Sequence, residues 1–336
     1  MSAEWLLNTA APVIRYRTLT ELMCEDNKSL LQDTITEILA LPQTQMRLSL
    51  LNNLDYNRTH GADSTHLENV LPLLNDFGLY YGTEAFNSAT QNIAELSAII
   101  LDKSYDKLIA YPFLLRSKFP IDGLFDFAIE RIDTIYDFTQ HMNFDIYDDI
   151  ADYNGVPKSF QGRPLIKPSI ASGWGKIRIP LIYDIVMMAA VYEKVPAEAQ
   201  AKIDNIIEYI ISPEYDIVVP MYGILHAAPR RYYAMGWDCK KPFNDNQNYS
   251  NPNLHRMLLY SNFLTAVKSP WFQNAIDYLM QFKTATSTYI FPKEYLLESD
   301  CNWVLGTRMS LAENRRKKQW AEVESTFYML KLLNSI

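Results

Sequence analysis

Apolar residues spaced three and four apart recur from one end of this chain to the other, a spacing that confines it to helices packed on helices. In "SLLQDTITEILALP", Leu31, Ile35, Ile38 and Leu39 share a face, Ser29 is placed to cap the start and Pro42 to end the run. "GLFDFAIERIDTIYDFTQ" puts Leu124, Ala128, Ile132, Ile135 and Phe138 on one stripe, and "VPAEAQAKIDNIIEYII" does the same with Ala199, Ile203, Ile206 and Ile210 behind Pro196. "SPWFQNAIDYLMQF" opens with Ser269 as cap and Pro270 behind it, and "QWAEVESTFYMLKLL" aligns Trp320, Val323, Phe327 and Leu330. Alternation of period two is nearly absent; "KIRIPLI" comes closest, and Pro180 interrupts it. Loops rich in Pro, Gly and Asn fall at 153–180 and 239–253, and no Gly/Ser linker divides the chain. The expectation is one all-α domain over 1–336, with roughly ten to twelve helices in repeated hairpins.

A chain of 336 residues that is 48% hydrophobic can bury a large core. Its net charge of −8 argues against nucleic acid, whose partners carry a basic stripe; the one dense basic run, Arg315 to Lys318, reads as a solvated helix face. Cys24, Cys239 and Cys301 are odd in number and far apart, which fits a reducing compartment and no disulfide framework. No basic and apolar leader opens the chain, and no run of about 18 apolar residues crosses it, so a cytoplasmic protein without a membrane span is expected. Aromatic residues make up 13%, and the polar tips of 22 Tyr and 6 Trp need partners, so a wet aromatic cavity is expected.

Two stretches carry candidate chemistry. "FDIYDDIADY" places Asp148, Asp149 and Asp152 beside Tyr147, and carboxylates three or four apart on a helix share a face that can hold magnesium. No second metal motif of matching spacing follows, and "NGVPKSFQGRP" ends any helix there. No cofactor is assigned, magnesium being the one ion the pattern could take, and the segment reads as an acidic run at a cavity mouth. "YGILHAAPRRYYAMGWDCKKPF" gathers Tyr222, His226, Arg230, Arg231, Tyr232, Tyr233, Trp237 and Asp238. Arg can clamp an anion and Tyr or Trp can stack on a ligand; equally, these side chains can rigidify a loop by bonding helix carbonyls. Arg163, Lys167 and Trp174 lie on a loop long enough to cover a mouth. Near the end, Arg308, Glu313 and Arg315 are expected to join Glu324 in an ion-pair lattice tying the last hairpin to the first. His60, His66, His141 and His255 have no evident catalytic neighbours and read as structural.

Four segments resemble bacterial squalene-cyclase-like proteins of the terpenoid cyclase and protein prenyltransferase superfamily. They are "WLLNTAAPVIRYRTLTEL", "STHLENVLPLLNDFGL", "AIDYLMQFKTATSTYIFP" and "ENRRKKQWAEVESTFYMLKLL", with Tyr289 where the repeat of true squalene cyclases has Trp. The resemblance implies an α/α toroid. It also implies acid-triggered or diphosphate chemistry on an isoprenoid, with Asp148 and Asp149 as the carboxylates to test. Asp145 to Asp149 misses the cyclase D-x-D-D pattern by one residue, and Asp238-Cys239 and Asp300-Cys301 with His255 miss the prenyltransferase zinc spacing. The leading expectation is a small organic, isoprenoid-like ligand in the central cavity, contacted by Tyr147, Arg163, Trp174, Tyr222, Arg230, Arg231, Tyr233, Trp237 and Asp238. Toroids also host glycoside hydrolases and polysaccharide lyases. On a saccharide, Asp149, Asp184 or Asp238 would be an acid/base pair, or Tyr233 with Arg231 would act on a uronic acid. A non-catalytic scaffold is the third reading.

Overall fold

A computed structural model describes residues 2–54, 58–91, 93, 104–149, 155–173, 176–218, 222–243, 253–299 and 302–336, so Asp152, Trp174, Asp300 and Cys301 lie outside the described residues. The fold is predominantly helical. Its helices are α1 (Ser2–Thr9), α2 (Pro12–Arg17), α3 (Lys28–Leu39), α4 (Pro42–Asn52), α5 (Leu67–Asp76), α6 (Glu84–Ala89) and α7 (Ser104–Arg116). After them come α8 (Leu124–Thr139), α9 (Ile182–Val191), α10 (Ala197–Ile211), α11 (Leu254–Tyr260), α12 (Leu264–Val267), α13 (Pro270–Met280) and α14 (Trp320–Leu333). A π-helical turn, Thr18–Leu22, continues α2.

Two kinds of helix follow from two kinds of sequence. α8 and α10 carry one apolar stripe each and bury it: Leu124, Ala128, Ile132, Ile135 and Phe138 in α8, and Ala199, Ile203, Ile206 and Ile210 in α10. α9, "IYDIVMMAAV", has almost no polar residue, and α5, "LENVLPLLND", gathers Glu68, Asn69, Asn75 and Asp76 on one side; both are buried almost all round, as expected of an inner layer. The inner helices pack in succession, α5 on α7, α7 on α9, α9 on α11 and α11 on α14, and α14 returns to α1 and the π turn. The outer helices cover them, α4 on α5 and α8 on α7 and α9, and α10 packs on α8 in turn. The two layers share one continuous hydrophobic core. Among the described residues, no helix is long and apolar enough to cross a membrane.

Three local expectations need correction. Asn27, not Ser29, caps α3: its side chain accepts from Ser29 N and Leu30 N at 3.2 Å. Pro42 begins α4, where its missing N–H costs nothing. The chain is also not all-α, because β1 (Tyr147–Asp148), β2 (Leu165–Ile166), β3 (Gly223–Ala228) and β4 (Arg231–Met235) form one mixed sheet in that order. β1 and β2 are too short to show a period. β3 is buried at Gly223, Ile224 and Leu225 in succession, and a register shift between His226 and Ala228 breaks the alternation. Gly223 is required there: its φ is 125°, and a Cβ would stand 2.2 Å from the Pro164 carbonyl oxygen that accepts from Ile224 N.

Of the expected C-terminal lattice, Arg315 does meet Glu324, whereas Glu313 accepts from a backbone N–H. Arg315 Nη2 lies 2.9 Å from Glu324 and its Nε 3.3 Å from Glu298, Glu313 accepts from Ala11 N at 2.5 Å, and Lys331 pairs with Glu21. The last hairpin is thereby tied to the first, at Ala11 and at Glu21 of the π turn. Burial pushes the Glu324 carboxyl up to about 8, against the pull of Arg315 and the Leu311 N–H. The folded state therefore keeps a proton that the unfolded chain releases above its ordinary value of 4.5. Between those two values stability should fall as pH rises, by up to about 1.4 kcal/mol per pH unit. Urea melts at pH 6 and 7 should show this slope in the wild type and a flatter one in Glu324→Gln; equal slopes would remove Glu324 as the source.

Candidate functional site

The C-terminal ends of several inner helices converge on one cavity of about 350 Å³. α2 contributes Arg17, α5 Asp76, α7 Arg116, α9 Ala189 and Ala190, and α14 Tyr328 and Lys331; α11 adds His255 and Leu258, and the loops add Lys118, Lys194, Trp303 and Arg308. Helix C-termini carry partial negative charge, so basic residues in last turns are locally favourable. Part of this set has that role: Arg17 donates to the Asp76 carbonyl at 3.1 Å and Arg116 to the Pro72 carbonyl at 3.0 Å.

The charge balance goes beyond such capping. Six cationic side chains line the cavity of a chain whose net charge is −8, against one lining carboxylate, Asp76. Asp76 is committed, accepting from Arg116 Nη2 at 2.7 Å and from the Trp303 indole at 2.7 Å. Against burial, Arg116, Arg17 and the Trp303 indole hold its carboxyl below the usual range. Glu21, just behind, takes Arg17 Nε at 2.6 Å and pairs with Lys331. Burial pulls the Lys331 ammonium down, and Arg17 adds to it, despite Glu21. Arg308 is likewise pulled down, first by burial. A cavity with excess positive charge is electrostatically arranged for an anion.

The floor is aromatic. Arg116 lies over the Trp303 ring, 4.7 Å from its centroid, and His255 meets the same ring edge-on at 4.2 Å. Burial pushes His255 down to about 4, so it stays neutral at pH 7, and its buried Nε2 has no hydrogen-bond partner among the described residues. Lys118 stands over Tyr80 at 4.5 Å on the exposed rim, with Lys194 also exposed. The apolar part of the lining is Leu115, Val186, Ala189, Ala190, Leu258 and Leu259.

The residues singled out from sequence lie elsewhere. Tyr147 is half-buried against the core, Asp148 is half-buried and Asp149 exposed. Because Asp148 ends a strand, it and Asp149 do not share the helical face on which the magnesium pattern depends. Arg163 is exposed on its loop; Arg230, at φ 62°, makes the exposed β3–β4 turn, and Arg231 and Tyr233 are exposed on β4. Tyr222 is buried, its hydroxyl meeting that of Tyr215 and donating to the Pro180 carbonyl at 2.7 Å. Asp238 is buried and accepts from Arg256 at 3.1 Å and from Lys240 N at 3.0 Å. Trp237 is half-buried among His60, Tyr105 and Tyr183. None of these lines the cavity. Among the described residues, no group of three or more His, Cys, Asp or Glu is placed to hold a metal ion. The residues that sequence reasoning missed, Arg17, Arg116, Lys118, Lys194, Arg308 and Lys331, come from separate elements. Their one shared signal is Lys or Arg in a last helical turn, at Arg17, Arg116 and Lys331. No protein-family model matches the chain, and no curated protein or solved structure is significantly similar to it.

Proposed function

We propose that this chain is a cytoplasmic α/α-toroid protein whose inner helices enclose a site for a small organic anion with an apolar part, an isoprenoid diphosphate being the class that fits both halves. The observation that carries the reading is the cavity's excess of cationic side chains in a strongly acidic chain. The return of α14 to α1 after the succession α5, α7, α9 and α11 supports the toroid. A volume of about 350 Å³ suits a short prenyl chain or a single sugar ring. Lys118 and Lys194 at the rim, with the buried Arg308, would hold the charge, and Leu115, Val186, Ala189, Ala190 and Leu258 would cover the chain.

Calorimetric titration of the purified protein separates the alternatives. Geranyl diphosphate should bind, inorganic pyrophosphate more weakly and geraniol not measurably. Arg308→Met and the double variant Lys118→Ala, Lys194→Ala should each weaken geranyl diphosphate by about tenfold to a hundredfold, since charge-assisted hydrogen bonds are worth about 1.5–3 kcal/mol. Binding of geraniol as tight as its diphosphate would end the anion reading. Preference for galacturonate over both would replace the isoprenoid with a saccharide acid.

A further inference from the structure

At the far end of α5 from the cavity, the helix opens with a second polar group. Glu68 is buried in the first turn, and its carboxylate accepts from Gly61 N at 2.6 Å, from His60 Nδ1 at 2.6 Å and from the Tyr183 hydroxyl. The loop bearing His60 is pinned again by Asn69, whose Nδ2 donates to the carbonyls of Gly61 and Asp63 at 2.9 Å each. A carboxylate only accepts, so a neutral imidazole here carries its proton on Nδ1 and leaves its lone pair on Nε2. The carboxylate is buried while 34% of the His60 side chain reaches solvent, so the ring bridges the buried acid and the surface.

Two aromatic rings wall that base. Trp237 meets the imidazole edge-on at 5.2 Å and Tyr105 at 5.7 Å, and the two are 5.8 Å apart. Trp237 is held in a left-handed backbone conformation, φ 71°, that a bulky residue rarely adopts. Its carbonyl accepts from Ile182 N at 2.9 Å, and the neighbouring Asp238 is locked to Arg256. The indole is thus placed beside His60 against local backbone preference. The charge here is a carboxylate and the walls are aromatic, the opposite of the basic cavity, so a neutral substrate suits it.

We propose that His60 and Glu68 form a general-base dyad that acts on a small neutral carboxylic ester whose apolar face lies on Trp237 and Tyr105. His60 Nε2 takes a proton from water as the water oxygen bonds to the acyl carbon. The alkoxide recovers that proton as its C–O bond breaks, so the products are acid and alcohol, the imidazole is regenerated and Glu68 stays ionised throughout. This activity is independent of what the cavity binds.

The test is hydrolysis of 4-nitrophenyl acetate by the full chain. His60→Asn keeps an N–H for Glu68 but removes the Nε2 base, and should lower the rate at least tenfold at an unchanged melting temperature. Glu68→Gln should lower it several-fold, and His141→Asn, at an exposed histidine away from Glu68, should leave it unchanged. In His60→Ala, added imidazole should restore hydrolysis beyond the sum of the separate rates. A wild-type rate matched by folded His60→Asn, or a loss reproduced by His141→Asn, overturns the proposal; if Glu68→Gln does not fold, the two histidine variants and the imidazole rescue decide.

Discussion

Replacing Arg131 with Met should lower unfolding free energy by about 3–5 kcal/mol, because it leaves Asp184 ionised and unpaired between α8 and α9. The residue is 6% exposed and spends four of its five N–H donors: Nε reaches Asp184 Oδ1 at 2.9 Å and Nη2 reaches Oδ2 at 2.7 Å. Nη2 also donates to the Ile179 carbonyl at 3.0 Å and Nη1 to that of Ile177. Asp184 in turn accepts from Leu181 N at 2.7 Å, closing the first turn of α9. One pair therefore fixes the outer α8, the inner α9 and the strand-like 177–181 segment that enters α9. Asp184→Asn keeps the shape but neutralises the partner of a buried cation, and it should cost nearly as much. The pair Arg131→Met with Asp184→Leu removes both charges and should recover much of the loss, since the desolvation of two ions goes with them. Urea unfolding of the wild type, Arg131→Met, Asp184→Leu and the double variant closes a double-mutant cycle. Additive losses in that cycle would mean that the two residues stabilise the fold separately.

How far such features are legible in the sequence depends on how local they are. The stripes of α8 and α10 were readable because each has a polar face for contrast, so Leu124 or Ile203 announces its direction. α9 gives no such contrast. Asp184 inside "LIYDIVMMAAV" reads as an intruder until Arg131, 53 residues away, is seen to meet it. The sheet escaped notice because its recognisable hairpin, 223–235, is buried on consecutive residues at one end and solvated at Arg231, Tyr233 and Ala234 at the other. The cavity was illegible for a different reason. Each of its cations, taken alone, is an ordinary last-turn or loop residue, and only the convergence of helix ends makes them a site. His60 and Glu68 lie eight apart across a loop and a helix start, a spacing to which no period applies. The Arg315 and Glu324 contact, by contrast, joins neighbouring segments of one hairpin and was foreseeable.

Trp303→Ala should be comparably destabilising, about 3–5 kcal/mol, and should at the same time change what the cavity holds. Trp303 is 1% exposed in a 3₁₀ turn that inserts between inner helices. Its ring receives Arg116 on one face and the edges of His255 and Phe113, the latter at 5.7 Å, while its Nε1–H satisfies Asp76. Its backbone N donates to Asn69 at 2.9 Å, a bond that any residue at this position keeps. The alanine variant consequently loses packing, a cation–π contact and a carboxylate donor together, whereas Trp303→Phe retains most of the packing and loses mainly the donor. The phenylalanine variant should cost about 1–3 kcal/mol, the range for leaving a buried acceptor short of a partner. Without the indole, Asp76 competes more strongly for Arg116, and the cavity gains volume at its floor. Geranyl diphosphate should therefore bind Trp303→Phe several-fold more weakly than the wild type. Equal affinity and stability in the two proteins would show that the indole N–H neither holds Asp76 nor shapes the anion site.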